Sequence, residues 1–443
     1  MLAAPARKVN QPAEKKKHKQ VSALRQFLIL SARNLKILTR DRSSLILMLL
    51  AAPLVGCLDL LLGPLMGPNL FDYFDGDIAN ASVTLFLLTI YSMLVGGLSQ
   101  MREIVKEGEI YKRERLVNLK ILPYVTSKVW IAALLALYHA LAYTILRYVA
   151  FNMPGGVQEF ILIYITLFLA VVAGMMLGLL ASALAPQASS APLIMILLIV
   201  PQIVLSGALA PLPNAASAPA STRWTFDALM AITGGGSDVA ADPCWDLPAD
   251  VRDAMTLEDK ANLGCRCMGE NIFDPQSCSF PGIGNFYDPA VDQPRPVEPV
   301  SPGDPPPEPE FPPAPQPPAD QSDNFAMSEY LTALGDFQAE TDKLQADYKA
   351  QISLFEAQSD VYKAEVVDYQ EALSEWEIAR QSSIGAAEGV IGGMREDFGK
   401  TFVNKDDSAG FMRFVGTTWL AQIIIITVLF SLILVLMKRK DVN

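Results

Sequence analysis

Apolar positions in this chain gather into six runs, at about 44–63, 82–99, 129–150, 160–184, 191–209 and 417–437. Each approaches the roughly twenty residues that a helix needs to cross the hydrocarbon of a bilayer. The pattern predicts an all-α polytopic membrane protein with six transmembrane helices, five of them within residues 43–210. Ahead of the first run the chain reads differently. From Val21 to Arg40 the residues Leu24, Phe27, Leu28, Leu35 and Leu38 share one helical face, with Arg25, Arg33, Lys36 and Arg40 elsewhere. That is an amphipathic helix lying along the membrane surface, spanning about 21–42. Residues 1–20 carry Lys15, Lys16, Lys17, His18 and Lys19 with almost nothing apolar. They predict a disordered basic tail near anionic lipid and not a signal peptide, because no apolar core follows at once.

Between the fifth and sixth runs lies a large insertion whose composition changes along its length. Residues 211–293 contain glycines and cysteines and predict a compact part. Residues 294–318 hold thirteen prolines in 25 positions, within a polyproline segment taken as 294–320. Residues 325–384 are helical in character, with neither Gly nor Pro between Gly335 and Gly385, and 385–416 return the chain to the last span. About 50 helical residues reach near 75 Å, and polyproline at about 3.1 Å per residue covers a similar distance. The helix carries Tyr330, Leu334, Phe337, Leu344, Tyr348, Ile352, Phe355, Tyr362, Tyr369, Leu373 and Trp376 at threes, fours and sevens. Such a seam must be covered, either by proline rings of the same chain or by a coiled coil with a second copy.

Charge then orients the whole. The formal net charge is -12, yet residues 211–416 hold 35 acidic and 13 basic side chains. The N-terminus to Arg42 has eleven basic and two acidic residues, and Lys438, Arg439 and Lys440 follow the last run. Positive ends and an acidic insertion predict both termini (438–443 being the second tail) in the cytoplasm and the insertion outside. The loop 100–128, with seven Lys or Arg and four Glu over Met101 to Lys128, is then a cytoplasmic handle. Cys244, Cys265, Cys267 and Cys278 all fall in the insertion, where two disulfides are expected with three possible pairings. A zinc site is the rival, but Cys265-Arg266-Cys267 lacks the usual two-residue gap. Asp59 and Arg147 lie near outer span ends and are expected to snorkel towards headgroups. His139, nearer mid-bilayer, is expected to bond another helix, and Gly96-Gly97, Gly174 and Gly178 predict close helix contacts. Asn80-Ala81-Ser82 is a glycosylation sequon on the side read as outer.

This order of parts resembles the membrane domain of a G-type ABC exporter, the ABC-type-2 permease family. The helix ending LTRDRSS, with Arg40-Asp41 before the first span, is similar to the family's connecting helix. Tyr111-Lys112-Arg113-Glu114-Arg115 resembles its RER segment, and ILPYVTSKV resembles the stretch leading into its third span. PQIVLSGAL, with Pro201, Ser206 and Gly207, is similar to the end of the fifth span, and STRWTFDAL at 221–229 to a re-entrant outer segment. Two features depart from the family: the insertion is far longer than usual, and no G-x-x-x-x-G-K-[ST] occurs. Gly393 to Thr401 has one residue too many between its glycines.

The resemblance implies a permease without enzymatic activity of its own. ATP and Mg would be bound by a separate nucleotide-binding subunit, and no cofactor by this chain. It implies pairing with a second copy or a related permease in the plasma or inner membrane, among lipid, with no nucleic acid. Arg113, Glu114 and Arg115 would couple to the motor and to Arg40 or Asp41. The cavity would be lined by Thr84, Thr89, Met93, Met195, Ile199 and Val204, an apolar set suited to a lipidic or amphiphilic substrate. The alternative is a membrane-anchored adhesion or assembly protein acting through the polyproline and helix arm on an extracytoplasmic partner.

Overall fold

The computed structural model describes residues 21–209, 212–319, 324–396 and 402–440; the basic tail expected over 1–20 and residues 441–443 lie outside these. Gly393 lies among the described residues, whereas the Gly399-Lys400-Thr401 end of the decoy motif does not. Among the described residues all regular structure is helical. The chain divides into two units, residues 1–286 with 386–443, and residues 287–385.

The first unit begins with α1 (Ala23–Arg40), capped by Ser22, whose hydroxyl accepts from the Arg25 amide at 3.4 Å. Asp41 then serves as the cap of α2 (Arg42–Met66), accepting from the Ser44 amide at 3.2 Å. There follow α3 (Ile78–Gln100), the short α4 (Gly108–Leu116), α5 (Ile121–Ala150), α6 (Val157–Leu184), α7 (Ala191–Val204) and α8 (Ser221–Thr233). The long α9 (Asn324–Glu396) returns to this unit for its last turns, and α10 (Ser408–Lys440) ends the chain. Among the described residues five helices are long and apolar enough to cross a membrane: α2, α3, α5, α6 and α10.

The fifth expected span is shorter than its apolar run. Helix α7 has 14 residues, about 21 Å at the helical rise, against roughly 30 Å of hydrocarbon. It stops at Val204, and Gly207 takes a left-handed φ of 73°. The chain turns back into α8, whose first residues close on Gln202. The Ser221 amide donates to Gln202 Oε1 at 2.8 Å, and the Thr222 hydroxyl donates to the Gln202 carbonyl.

Helices α3 and α6 form the heart of the bundle, and the small residues explain why. A β-carbon on Gly174 would overlap the Met93 carbonyl oxygen, and one on Gly178 the Gly97 carbonyl oxygen. Only glycine lets the two backbones approach this closely. Around that contact Met93, Met176, Leu180, Met195, Leu429 and Ile433 fill one continuous core.

At the end of the bundle away from α4, a small lobe is stapled by disulfides Cys244–Cys265 and Cys267–Cys278. Asp242 gathers the two bridges by accepting from the amides of Cys244, Arg266 and Cys267 at 2.8, 2.9 and 2.6 Å. Lys260 pairs with Glu388 at 2.7 Å on the last turns of α9.

The second unit, residues 287–385, pairs the proline-rich stretch with α9. Pro296, Pro299, Pro302, Pro306, Pro309, Pro312, Pro315 and Pro318 are half-buried, and the residues between them are exposed. On α9 the half-buried row is Tyr330, Leu334, Phe337, Thr341, Leu344, Tyr348, Ile352, Phe355, Ser359, Tyr362, Val366, Tyr369, Leu373 and Trp376. At one end the Trp376 indole donates to the Gln293 carbonyl at 2.6 Å and Arg380 to the Val291 carbonyl at 2.5 Å. Further along, Val300 and Pro302 share a groove with Ala357, Val361 and Tyr362. Helix α9 continues past the expected end at 384, because Gly385, Gly389, Gly392 and Gly393 are absorbed into its regular turns.

Candidate functional site

The polar hairpin between α3 and α5 is bound into the bundle by charge. Lys128, in the second turn of α5, is only 4% exposed. Its ammonium lies 2.8 Å from Glu107 and 3.5 Å from Glu103. Glu107 also accepts from the Tyr124 hydroxyl at 3.4 Å and stands 3.9 Å from Arg33 of α1. Arg33 in turn donates to Glu114 of α4 at 2.6 Å. One charge network therefore joins α1, the hairpin and the base of α5.

Neutral contacts reinforce the same block. The Ser182 hydroxyl at the end of α6 accepts from the amides of Ile104 and Val105 at 2.9 and 3.0 Å. Asn34 of α1 donates to Ser127 of α5 at 3.2 Å. Gln26 of α1 clasps the far side of the hairpin, donating to the Asn118 carbonyl at 3.2 Å and accepting from the Lys120 amide at 3.0 Å. Asn118 turns the chain there with a φ of 85°. Tyr111 of α4 packs on Tyr124, ring centres 4.8 Å apart.

The residues expected to couple do not all meet. Glu114 pairs with Arg33 and not with Arg40 or Asp41, because Arg33 lies two turns earlier on α1, level with the hairpin. Arg40 is exposed, and Asp41 is occupied in capping α2. That amide bond holds the Asp41 carboxyl below its ordinary range. Arg115 donates to the Leu119 carbonyl and so shapes the hairpin itself, while Arg113 is exposed.

The expected cavity set is likewise divided. Thr84, Thr89, Met93 and Met195 are buried against neighbouring helices of the same chain, and Ile199 is 5% exposed. Their hydroxyls and thioethers face protein because the α3–α6 glycine contact draws α3 into the centre of the bundle. Val204 is exposed, together with Leu193, Ile196, Leu197 and Val200 of α7. Asp59 and Arg147 do not snorkel: they are 1% and 0% exposed and face each other inside the bundle. His139 Nε2 donates to the Met48 carbonyl at 2.9 Å, the interhelical bond expected of it.

Residues 25–231, from α1 nearly to the end of α8, match the family described as ABC-2 type transporter. This part of the chain is an ABC-2 type transporter membrane domain. Over 241 residues the chain is 27% identical to the ABC transporter ATP-binding/permease protein Rv1747 of Mycobacterium tuberculosis, covering 51% of this chain. It spans 27% of that relative's length. The ABC-2 match, with its apolar helices, makes this a multi-pass integral membrane protein. Within that domain the charge network occupies the polar hairpin between the second and third long helices.

Proposed function

We propose that this chain is the permease subunit of an ABC exporter, moving a lipidic or amphiphilic substrate with energy from ATP hydrolysed on a separate nucleotide-binding chain. The observation that carries the reading is the Lys128–Glu107–Arg33–Glu114 network. It makes α1, the hairpin and α5 one block, so that a push on the exposed surface of α4 moves two helices together. The basic residues of the hairpin and of both ends favour a cytoplasmic face for this block, where a soluble ATPase can reach it. Two copies pair through exposed apolar surface, and the α7 face with Val204 lines the shared path. In that arrangement α7 and α8 together serve as one membrane element, fifth in chain order, α8 entering without crossing.

The test is co-expression with a candidate nucleotide-binding chain, followed by copurification and an ATPase assay. Glu114→Arg is expected to weaken the stimulation of hydrolysis, and the exchange Arg33→Glu with Glu114→Arg to recover part of it. Hydrolysis that ignores both variants, or a hairpin labelled from the outer medium, would overturn the proposal. The second unit favours an added role. A burial repeat of three, with one step of four at Gly303, that falls on proline every time is the repeat of polyproline II, and it covers the aromatic row within one chain. We read residues 287–385 as a self-covered polyproline and helix arm outside the cell that contacts an extracytoplasmic partner.

A further inference from the structure

We infer that Asp59, Tyr91, Tyr143 and Arg147 form an internal water-binding site joining α2, α3 and α5 in the half of the bundle away from the hairpin. All four side chains belong to residues more than nine-tenths buried. Arg147 reaches one partner directly, donating from Nη2 to the Thr84 hydroxyl at 2.8 Å, and its guanidinium lies 4.0 Å over the Phe151 ring. Its Nη1 stands 3.8 Å from Asp59 Oδ2, within an ion pair but beyond hydrogen-bond length.

What remains is a set of polar atoms with no hydrogen bond of normal length among the described residues: Asp59 Oδ1 and Oδ2, Arg147 Nε and Nη1, and the hydroxyls of Tyr91 and Tyr143, with only a loose bond within reach between Tyr91 and Asp59. The two tyrosine rings are 5.3 Å apart, and Tyr91 also interacts electrostatically with Asp59. Leaving six such atoms dry would be very costly in an apolar interior. The inventory also selects the ligand. Carboxylate and guanidinium cancel, so no ion is demanded, and acceptors on one side face donors on the other. Water accepts and donates at once, and needs two to four polar partners. Two atoms 3.8 Å apart can both lie at about 2.8 Å from one water oxygen beside their line, the usual length of such bonds.

The surroundings are shaped for it. A β-carbon on Gly56 would crowd the Leu146 side chain, and one on Gly63 would press on the Ala150 carbonyl. Helix α2 therefore lies close along α5 on either side of Asp59, which seals the site laterally. A wet joint of this kind lets three helices shift by fractions of a turn while their charges stay satisfied, since water re-forms its bonds.

The inference is independent of substrate and motor, and its test uses the full chain in nanodiscs. Hydroxyl radicals generated by X-ray pulses from site-bound water should oxidise Tyr91 and Tyr143 several-fold faster than the equally buried Phe226, read by mass spectrometry. Asp59→Leu combined with Arg147→Met should bring both tyrosines down to the rate of Phe226. Tyrosine oxidation in the native chain no faster than that of Phe226 would overturn the site. So would unchanged oxidation in a double variant that still melts cooperatively. If the double variant does not fold, the native comparison decides alone.

Discussion

Lys128 and Glu114 sit a short distance apart in one network, yet their replacement should have opposite signatures. Lys128 is buried, so Lys128→Met leaves Glu103 and Glu107 facing a void of charge; breaking a buried pair costs about 3–5 kcal/mol. A clear fall in detergent melting temperature is expected, largely recovered in the double variant Lys128→Met with Glu107→Gln. Arg33 and Glu114 are about one-third exposed, and such pairs contribute about 0–1 kcal/mol. Glu114→Arg should therefore melt almost normally and act on coupling instead. Asp41 adds a pH dependence. Its folded-state carboxyl lies below the ordinary 3.8 because it accepts the Ser44 amide. That contribution is present above 3.8 and is lost as pH falls through the lower folded value. Amide exchange at Ser44 should rise in acid, and Asp41→Asn should flatten the change. At this scale the sequence is least legible. Arg33 stands 81 positions from Glu114, and its place opposite the apolar stripe of α1 reads as solvent-facing. The contact face of α1 is instead the one carrying Leu30 and Asn34, which periodicity alone does not single out.

Elements are more readable, because their causes are local. Glycines four apart on α6 and paired on α3 foretell a close crossing, and the structure has the carbonyls of Met93 and Gly97 against them. Gly174→Ala and Gly178→Ala should each cost about 1–3 kcal/mol, as overpacking does, seen as a lower melting temperature without loss of helical signal. Asp59 and Arg147 mark the limit of that locality. Position near a span end suggests the headgroups, whereas the helix rotation that turns both inward is fixed by Gly56 and Gly63 packing on α5. Helix α7 is shorter than the run suggests because apolar residues continue through Leu205 and Leu209 after the helix has ended. In the arm, the groove that Pro302 shares with Tyr362 fixes a register. Counting about 3.1 Å per proline-helix residue and 1.5 Å per α-helical residue from there sets Pro299 beside Tyr369 and Pro318 beside Tyr330. Cysteines at 299 and 369 should crosslink, and cysteines at 299 and 348 should not.

For the molecule as a whole, five long apolar helices and an ABC-2 domain were within reach of hydropathy and a handful of motifs. The division of labour between the units was not, since it depends on which residues the arm covers by itself. If the arm is self-covered, deleting residues 294–378 should leave membrane insertion and the α1–hairpin block intact, measured by melting in detergent, while exposing no new aggregation surface. A bundle that fails to insert after the deletion would contradict that independence.

Gly303, with its left-handed φ of 87°, marks the one step of four in a row of prolines otherwise spaced by three. Three polyproline residues advance about 9.3 Å and seven α-helical residues about 10.5 Å, so the two rows behave as unequal rulers. Over seven intervals they would drift apart by roughly 8 Å. The extra residue at Gly303 returns about 3 Å, and the shortened aromatic stride from Tyr348 to Phe337 about 4.5 Å more. Such a vernier tolerates no arbitrary lengthening: an inserted residue on either strand would throw every later proline off its ring, whereas matched insertions on both would simply make a longer mast.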